Sequence, residues 1–228
     1  MLTVVCVCRS GGDFDWSWVS KLERSCFNLL PDFHQFVCLA DEAIPVTGPF
    51  VKVVPLKHDW PGWWSKVELF RPGLFEEGRP ILYFDLDTVI TRDISHLFSA
   101  IDCDLLLLRD FYRPTTHFGT GMMGWTAGQM GDIYEFFKSR AEEGMSKFRS
   151  DQEFIQWFIR GSKAEFPAIG VRFWQDEFPG HVVSYKVHCS KALPGDAHVV
   201  CFHGQPRPNS EQVRLQSPWM IEKWSRDA

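Results

Sequence analysis

The chain has 228 residues, of which 45% are hydrophobic and 23% are charged. This composition is typical of one folded domain, or of one domain with a small appendage. The net charge is −5, and no run of basic residues is present that could neutralise a phosphate backbone, so no nucleic acid partner is expected. The apolar start, residues 2–8, is too short for a signal peptide or a membrane span. We therefore expect no transmembrane segment, and any contact with a membrane would be peripheral.

The cysteines are typical of a reducing compartment. The chain has seven of them, an odd number, and no CxxC pair. Five lie in apolar, strand-like runs, where a thiol packs as a small buried hydrophobic group: Cys6, Cys8, Cys38, Cys103 and Cys201. A disulfide framework is not indicated, and we expect a cytoplasmic location.

The first elements alternate between strand and helix. Residues 3–8 predict a buried strand, and residues 9–13 follow as a loop whose glycines allow close approach to a ligand. Helical spacing predicts a helix over residues 15–30, ending before a proline. Further strands are predicted over residues 36–39 and 51–56. This order is the opening of an α/β fold of Rossmann type, with a mainly parallel sheet flanked by helices in a single domain.

The remaining elements are shorter. The pattern predicts strands over residues 81–90, 104–108, 122–125 and 199–202, and helices over residues 65–70, 131–143, 151–159 and 219–224. From residue 167 onward, the pattern breaks into short pieces rich in proline, glycine and aromatic residues.

Residues 81–90 are the most informative stretch. They read ILYFDLDTVI, an apolar run that contains two carboxylates, Asp85 and Asp87. Such a run predicts a buried strand, and ligands of open α/β sheets bind beyond the carboxyl ends of the strands. Two residues apart on a strand, the carboxylates would leave on one face and repel each other, by about 4 kcal/mol at ~4 Å and an effective dielectric near 20. A divalent cation would remove this repulsion and could hold a diphosphate. The alternative is a strand-end turn with one capping and one solvated aspartate.

Three further groups are candidates for chemistry. His203 and Arg207 follow a late apolar strand. An imidazole can bind a divalent metal, and a guanidinium can bind a phosphate. The alternative for His203 is a structural role in the loop. Lys66 with Arg71 predicts either phosphate contacts or a solvated helix face. Residues 150–153, Ser-Asp-Gln-Glu, predict a helix start capped by serine or aspartate, and such a start can also face a pocket.

Together these stretches resemble the nucleotide-sugar-dependent glycosyltransferases of the GT-A fold, most nearly the family 8-like members. Residues 82–90 are similar to their Tyr-hydrophobic-Asp-x-Asp element, which holds Mn²⁺ and the donor diphosphate. The resemblance implies Asp85 and Asp87 as ligands of Mn²⁺ or Mg²⁺. It also implies nucleotide contacts from a set of residues spread over the first loop and the later motifs: Cys8, Arg9, Ser10, Gly11, Lys66, Asp85, Leu86 and Arg207. Asp41 is a weaker candidate for a base or ribose contact.

Two more stretches resemble the donor-sugar side of that family. Residues 118–123 occupy the place of its Phe-Asn-(Ser/Ala)-Gly-hydrophobic stretch, with Gly119 where asparagine is usual. The resemblance implies donor-sugar contacts from Gly119, Thr120 and Gly121. Asp151 and Gln152 are similar to the family's Asp-Gln pair, which sits beside the transferred sugar, and are the implied catalytic residues.

Residues 201–208 resemble the family's His-Phe-x-Gly-x-x-Lys-Pro signature. In a strict alignment Cys201 takes the histidine position, His203 falls on a variable position, and Arg207 replaces lysine. Cys201 and His203 have the same strand parity, so either could reach the metal. We favour His203 as the third ligand, because Mn²⁺ and Mg²⁺ prefer oxygen and imidazole to thiolate.

The resemblance implies an enzyme that transfers a hexose from a UDP-sugar to a carbohydrate or other hydroxyl acceptor, with retention of configuration. Residues 1–110 would form the nucleotide-binding half, and residues 111–228 the sugar and acceptor half with the closing segment. Two alternatives remain open. Asp85 and Asp87 also fit the nucleophile loop of haloacid-dehalogenase-type phosphatases, and a non-catalytic nucleotide-sugar-binding protein would keep the same site.

Overall fold

A mixed seven-stranded sheet forms the centre of the part of the chain that a computed structural model describes, residues 2–30, 33–43, 45, 51–102, 104–161, 166 and 168–225. The strands, in chain order, are β1 (Leu2–Cys8), β2 (Phe33–Ala40), β3 (Val51–Pro55), β4 (Pro80–Phe84), β5 (Val89–Ile90), β6 (Leu105–Arg109), β7 (Phe118–Thr126), β8 (Val171–Phe173), β9 (Val182–Ser184) and β10 (Val199–Cys201). The α-helices are α1 (Trp16–Leu29), α2 (Gly131–Ser139), α3 (Ala141–Lys147), α4 (Asp151–Gly161), α5 (Trp174–Glu177), α6 (Glu211–Gln216) and α7 (Trp219–Ser225). Two 3₁₀ segments (Gly62–Phe70 and Ser95–Ala100) and one π turn (Tyr185–Cys189) complete the elements.

The strand order of the large sheet is β3-β2-β1-β4-β7-β6-β8. β1 is parallel to both β2 and β4, β3 is parallel to β2, and β8 is parallel to β6. β7 runs antiparallel to β4 and β6. The predicted α/β fold with a mainly parallel sheet flanked by helices is confirmed.

Both faces of the sheet are buried, as the continuous apolar runs predict. Along β1, Val4 and Cys6 face the core beneath α1, whereas Val5 faces the core beneath α2 and α4. Helix α1 begins where Asp15 accepts a hydrogen bond from the Ser17 amide at 2.9 Å. These two packed faces hold the carboxyl ends of the strands in place.

A second sheet, of three strands in the described residues, has the order β5-β10-β9. β10 is antiparallel to β5 and parallel to β9. The small sheet therefore pairs β5, which follows the aspartate pair, with β10, the late apolar strand. This pairing brings the aspartate motif close to the segment that contains His203 and Arg207.

Three predicted elements differ in the structure. The strand predicted over residues 81–90 ends at Phe84, and residues 85–88 form a turn closed by the Thr88 amide on the Asp85 carbonyl at 3.0 Å. The aspartates therefore lie in a strand-end turn, because Leu86 between them is buried and the chain then enters the other sheet. The helix predicted over residues 131–143 is two helices, α2 and α3, and the strand over residues 122–125 extends from Phe118 to Thr126.

Six described cysteines are buried: Cys6, Cys8, Cys26, Cys38, Cys189 and Cys201. Cys103 lies outside the described residues. None of the helices in the described ranges combines the length and the apolar character that a bilayer crossing would need.

Candidate active site

A cleft of about 800 Å³ opens where β1, β4 and β6 end, the edge at which open α/β sheets bind ligands. Most sequence candidates line it: Arg9, Ser10, Gly11, Lys66, Asp85, Leu86, Asp87, Gly119, Thr120, Gly121, Asp151, Gln152, Cys201, His203 and Arg207. Cys8, predicted as a nucleotide contact, instead packs into the core with α1. The reason is strand parity, since Val7 points the other way and lines the cleft.

Asp41 fixes the loop that follows β1. The Ser10 amide donates to Asp41 Oδ1 at 2.9 Å, and the Ser10 hydroxyl donates to Oδ2 at 2.6 Å. Burial acts to raise the pKa of Asp41, but the hydrogen bonds from Ser10 outweigh it and leave the pKa below its usual value. Gly11 in the same loop has φ of +78°, a conformation that favours glycine. Asp41 thus fixes the conformation of the loop, and Arg9 and Ser10 of this loop line the cleft.

Asp85 lies beside the end of β4, and two side chains hold its carboxylate. Lys66 Nζ lies 2.6 Å from Asp85 Oδ1, and the Tyr83 hydroxyl donates to the same oxygen. A Cβ on Gly121 would lie 3.3 Å from Asp85 Oδ2, so glycine leaves this oxygen room. Burial acts to lower the pKa of Lys66, but Asp85 and then Asp151 outweigh it and raise the pKa. Lys66 is therefore a fixed positive charge inside the cleft.

Asp87 is buried and forms an ion pair with Arg207. Burial and the negative charge of Asp85 raise the pKa of Asp87 to about 7, against the opposing effect of Arg207. The second guanidinium nitrogen of Arg207 lies 3.2 Å from Asp13 Oδ2, and the guanidinium lies over the Phe14 ring at 4.7 Å. Within the described residues, the Arg207 Nε is buried without a partner. Each member of the aspartate pair is thus neutralised by one cationic side chain, Asp85 by Lys66 and Asp87 by Arg207.

Asp151 and Gln152 reach the cleft from the first turn of α4. The Thr120 hydroxyl donates to Asp151 Oδ2 at 2.8 Å, and the Thr120 amide donates to Gln152 Oε1 at 3.4 Å. Burial raises the pKa of Asp151, with Lys66 opposing. The helix start has the predicted cap, because the Glu153 amide donates to Ser150 Oγ at 3.3 Å and the Glu153 carboxylate accepts from the Arg149 amide at 2.8 Å.

Gly119 has a steric explanation. A Cβ at this position would lie 3.0 Å from the Leu108 Cβ on β6, closer than side chains normally pack. An asparagine here would require Leu108 to move, so glycine follows from the close pairing of β6 and β7. Gly119, Thr120 and Gly121 line the cleft, and the donor-sugar contacts predicted for them stay a prediction.

The two candidates for a third metal ligand have different surroundings. Burial raises the pKa of the Cys201 thiol well above its ordinary value, and the charges of Asp87, Asp85 and Cys189 add to this effect. His203 Nε2 shares a hydrogen bond of 2.8 Å with Ser184 Oγ, and burial followed by Lys186 lowers the pKa of the imidazole. Cys201 is therefore close to the aspartates but protonated, whereas His203 is neutral and held by Ser184.

A group of three or more His, Cys, Asp or Glu side chains can share one metal ion. Among the described residues, His96, His181 and His198 form such a group, with ligand atoms that lie within 4.8 Å of one another. Asp85 and Asp87 form no such group with Cys201 or His203. The carboxylates nevertheless fit a hard divalent cation that completes its shell with substrate phosphates and water, because Mg²⁺ is commonly held by only one or two carboxylates.

Several residues of the site were not identified from the sequence. Tyr83 stands inside the aspartate motif and could have been assigned from its position two residues before Asp85. Asp13 and Phe14 lie at the end of the glycine loop. Both contact Arg207, and the hydrogen bond of Asp13 with Arg207 joins residues 194 positions apart. Ser184 lies in a short strand that carries no local signal. Long-range pairing, which no local pattern encodes, supplies these contacts.

His203→Ala is predicted to weaken Mn²⁺ binding in the presence of UDP by roughly tenfold, whereas Cys201→Ala changes it less than about threefold. A neutral imidazole is a ready ligand, and a thiol with a raised pKa must first lose its proton. Isothermal titration calorimetry of both variants with Mn²⁺ in the presence of UDP measures the change in affinity. Cys189→Ala, another buried thiol, serves as the control for packing loss. If Cys201→Ala alone abolishes Mn²⁺ binding, Cys201 is the third ligand.

The fold has counterparts among solved structures, although neither a family model nor a curated protein matches the sequence. An active-site mutant of LgtC, with glutamine changed to glutamate, superimposes with a TM-score of 0.70 at 12% identity, over 99% of this chain and 94% of that one. The galactosyltransferase LgtC in complex with donor and acceptor sugar analogues gives 0.68 at 12% identity over the same shares. The glycosyltransferase GlyE of Streptococcus pneumoniae TIGR4 gives 0.64 at 12% identity, over 100% of this chain and 63% of that one. The chain therefore has the fold of these glycosyltransferases.

Proposed function

We propose that this protein transfers a hexose from a UDP-sugar to a hydroxyl acceptor in a reaction that depends on a divalent cation. The observation that carries the proposal is the convergence in one cleft of two carboxylates, Asp85 and Asp87, each ion-paired with a cationic side chain, with Asp151 and Gln152 on the start of α4. A divalent cation can replace Lys66 and Arg207 as the partner of the carboxylates and release both side chains to a diphosphate, and a sugar on the diphosphate would extend toward α4. The shared fold with two glycosyltransferases supports the same class of reaction.

The binding roles follow from the contacts. We propose that the loop of Arg9, Ser10 and Gly11 lies against the nucleoside, and that Asp85 and Asp87 hold Mn²⁺ or Mg²⁺. His203 is the proposed third ligand, and it must leave Ser184 Oγ and move toward the aspartates to reach the ion. The metal, when bound, supplies positive charge that stabilises the departing diphosphate. Lys66 and Arg207 are already paired with these carboxylates. Each can turn from its carboxylate to a phosphate oxygen when the cation takes over the neutralisation of the aspartates.

We place the donor sugar against Gly119, Thr120 and Gly121. Asp151 is buried, and its hydrogen bond from Thr120 fixes it beside β7. At the rim of the cleft, the rings of Trp63 and Tyr112 are 53% and 63% exposed. Exposed aromatic faces that line a cleft can pack against the apolar face of a sugar, so we propose a carbohydrate as the acceptor. Residues 1–110 would serve the nucleotide and residues 111–228 the sugars.

A screen of UDP-, GDP- and CDP-sugars, with and without Mn²⁺, tests the function. We expect a UDP-hexose with Mn²⁺ to raise the melting temperature most, and slow release of UDP from that donor even without an acceptor. Cleavage of simple phosphate esters without UDP release would point to a haloacid-dehalogenase-type phosphatase. Binding without any turnover would point to a nucleotide-sugar-binding protein. The buried thiols of Cys6, Cys38 and Cys201 support a reducing, cytoplasmic location as part of this proposal.

Arg207→Ala is predicted to weaken UDP binding about tenfold or more at saturating Mn²⁺, because a hydrogen bond from a charged group contributes roughly 1.5–3 kcal/mol. Arg207→Lys keeps the charge and should lose less. Arg214→Ala on α6, an exposed arginine, is the matched control. Equal UDP affinity of Arg207→Ala and the unmodified protein, measured by calorimetry, would remove Arg207 from the diphosphate site.

A further inference from the structure

Three histidines lie close together at one end of the small sheet, where β9 and β10 begin. The other end of β10 reaches the cleft. His96 lies on the 3₁₀ segment Ser95–Ala100, His181 directly precedes β9, and His198 directly precedes β10. Because β9 and β10 are parallel, His181 and His198 enter the sheet at the same edge. Cys201, at the other end of β10, lines the cleft. The cluster is thus about 10 Å along the strand from the proposed transfer site, at ~3.3 Å per residue.

The imidazole rings are close enough to share one ion. His96 Nε2 and His181 Nδ1 lie 2.8 Å apart, and the ligand nitrogens of all three rings lie within 4.8 Å of one another. The ring centroids are separated by 4.9, 4.7 and 4.4 Å. Zn²⁺ binds imidazole nitrogen at about 2.0–2.1 Å, which sets the nitrogens of a tetrahedral site roughly 3.4 Å apart. Small ring rotations bring the three nitrogens to that spacing.

The backbone around the cluster is already ordered. The His198 amide donates to the His181 carbonyl at 2.9 Å, and the Thr91 amide donates to the His198 carbonyl at 2.8 Å. His96 packs edge-on against Phe178, with ring centroids 5.1 Å apart. The three ligands come from three chain segments: the parallel pairing of β9 and β10 aligns His181 with His198, and His96 reaches them from the 3₁₀ segment. An ion would therefore meet a largely preformed site.

The tautomer of His198 suits metal binding. His198 Nδ1 contacts the Asp93 carbonyl oxygen at 2.5 Å, so Nδ1 carries the proton and Nε2 keeps its lone pair. A carbonyl behind a histidine is the usual arrangement that orients a metal-bound imidazole. His96 Nε2 and His181 Nδ1 share a hydrogen bond of 2.8 Å, so one of these nitrogens carries a proton that an ion must displace when it binds. Neutral rings are the form that binds a metal.

We propose that His96, His181 and His198 form a Zn²⁺ site with three imidazole ligands and a water-accessible fourth position. The bound ion ties the segment after β5 to the starts of β9 and β10. It thereby braces the strand whose far end reaches the cleft. The site is separate from the aspartate pair, and imidazole nitrogen favours Zn²⁺ where carboxylate oxygen favours Mn²⁺ and Mg²⁺.

Zn²⁺ titration of chelator-treated, nucleotide-free protein tests the site. We expect one equivalent to bind, with a rise in melting temperature, and Co²⁺ in its place to give the intense visible absorption of four-coordinate cobalt. His181→Ala and His198→Gln should each weaken Zn²⁺ binding at least tenfold. His96→Gln, on the 3₁₀ segment, provides a third variant if a strand-edge substitution fails to fold.

Two controls separate this site from others. His117→Gln removes a histidine outside the cluster and should keep full Zn²⁺ affinity. Asp87→Asn disables the proposed cleft metal and should also keep it, so the outcome is independent of the transfer reaction. Failure of the unmodified protein to bind one equivalent would overturn the proposal, as would unchanged Zn²⁺ affinity in folded His181→Ala and His198→Gln.

Discussion

Asp87→Ala is expected to give a folded protein whose UDP affinity no longer rises when Mn²⁺ is added. Asp87 is buried, and burial with the charge of Asp85 raises its pKa to about 7. Removing it deletes one of two carboxylates that would hold the cation. The metal's stabilisation of the departing diphosphate is worth several kcal/mol, so transfer should fall on the order of a thousandfold or more. Calorimetry with UDP in Mn²⁺ and in EDTA, followed by rate measurements, checks both parts.

Two companion variants sharpen this test. Asp87→Asn keeps the size and removes only the charge, so it should lose metal dependence as Asp87→Ala does while leaving a polar partner for Arg207. Asp132→Asn, on the exposed first turn of α2, should behave like the unmodified protein. If the unmodified protein binds UDP equally well in EDTA, the metal assignment of Asp85 and Asp87 is wrong.

The pH dependence of the same binding has a definite sign. Only the deprotonated Asp87 carboxylate binds a cation, so protons compete with the metal. As pH falls through about 7, Mn²⁺-dependent UDP binding should weaken. Asp87→Ala should lack this dependence, because the titrating group has been removed.

The sequence predicted the architecture because the relevant signals are local. Apolar runs without polar breaks marked β1, β2, β4 and β6, and both faces of β1 are buried as such a run requires. Asp15 and Ser150 cap the helices they precede. These features depend on neighbours within a few residues, and so a single sequence contains them.

The site was predicted less completely because it depends on tertiary contacts. The turn at Asp85 follows from the packing of Leu86 and the switch of the chain into the small sheet, which no run of residues encodes. The ion pair of Arg207 with Asp87 joins residues 120 apart. The histidine cluster was missed entirely, since its members are isolated in the sequence and only the parallel pairing of β9 with β10 brings them together.

The stereochemistry of transfer depends on what lies beside the anomeric carbon. Inversion needs a general base on the far side of the sugar. Glu153 is occupied by the Arg149 amide in the helix cap and does not line the cleft. Asp151 lines it, but Thr120 and the nearby Lys66 already engage that carboxylate. An amide such as Gln152 is too weak a nucleophile for a durable covalent intermediate. We therefore propose that the leaving diphosphate guides the acceptor hydroxyl in on its own face, with retention.

Gln152→Ala is accordingly predicted to lower the transfer rate on the order of a hundredfold, comparable to the loss of one well-placed group that stabilises transition-state charge. UDP affinity should stay within about twofold, because the proposed site places the Gln152 amide beside the sugar and away from the nucleotide. Gln156 offers a matched control one helical turn further along α4. It accepts from the Phe118 amide at 2.8 Å on the same strand that Gln152 contacts, but does not line the cleft. Gln156→Ala should therefore keep nearly full activity.

The anomeric configuration of the first product completes this prediction. If Gln152 steadies a short-lived oxocarbenium ion while the acceptor enters on the diphosphate side, an α-linked UDP-hexose must give an α-linked product. Proton NMR during the first turnovers measures the anomeric coupling before any mutarotation or hydrolysis. A β-linked product would refute retention and assign Asp151 as general base, in which case Asp151→Asn should abolish transfer while Gln152→Ala has little effect. A UDP affinity that falls in step with the rate in Gln152→Ala would instead mean that Gln152 binds the nucleotide.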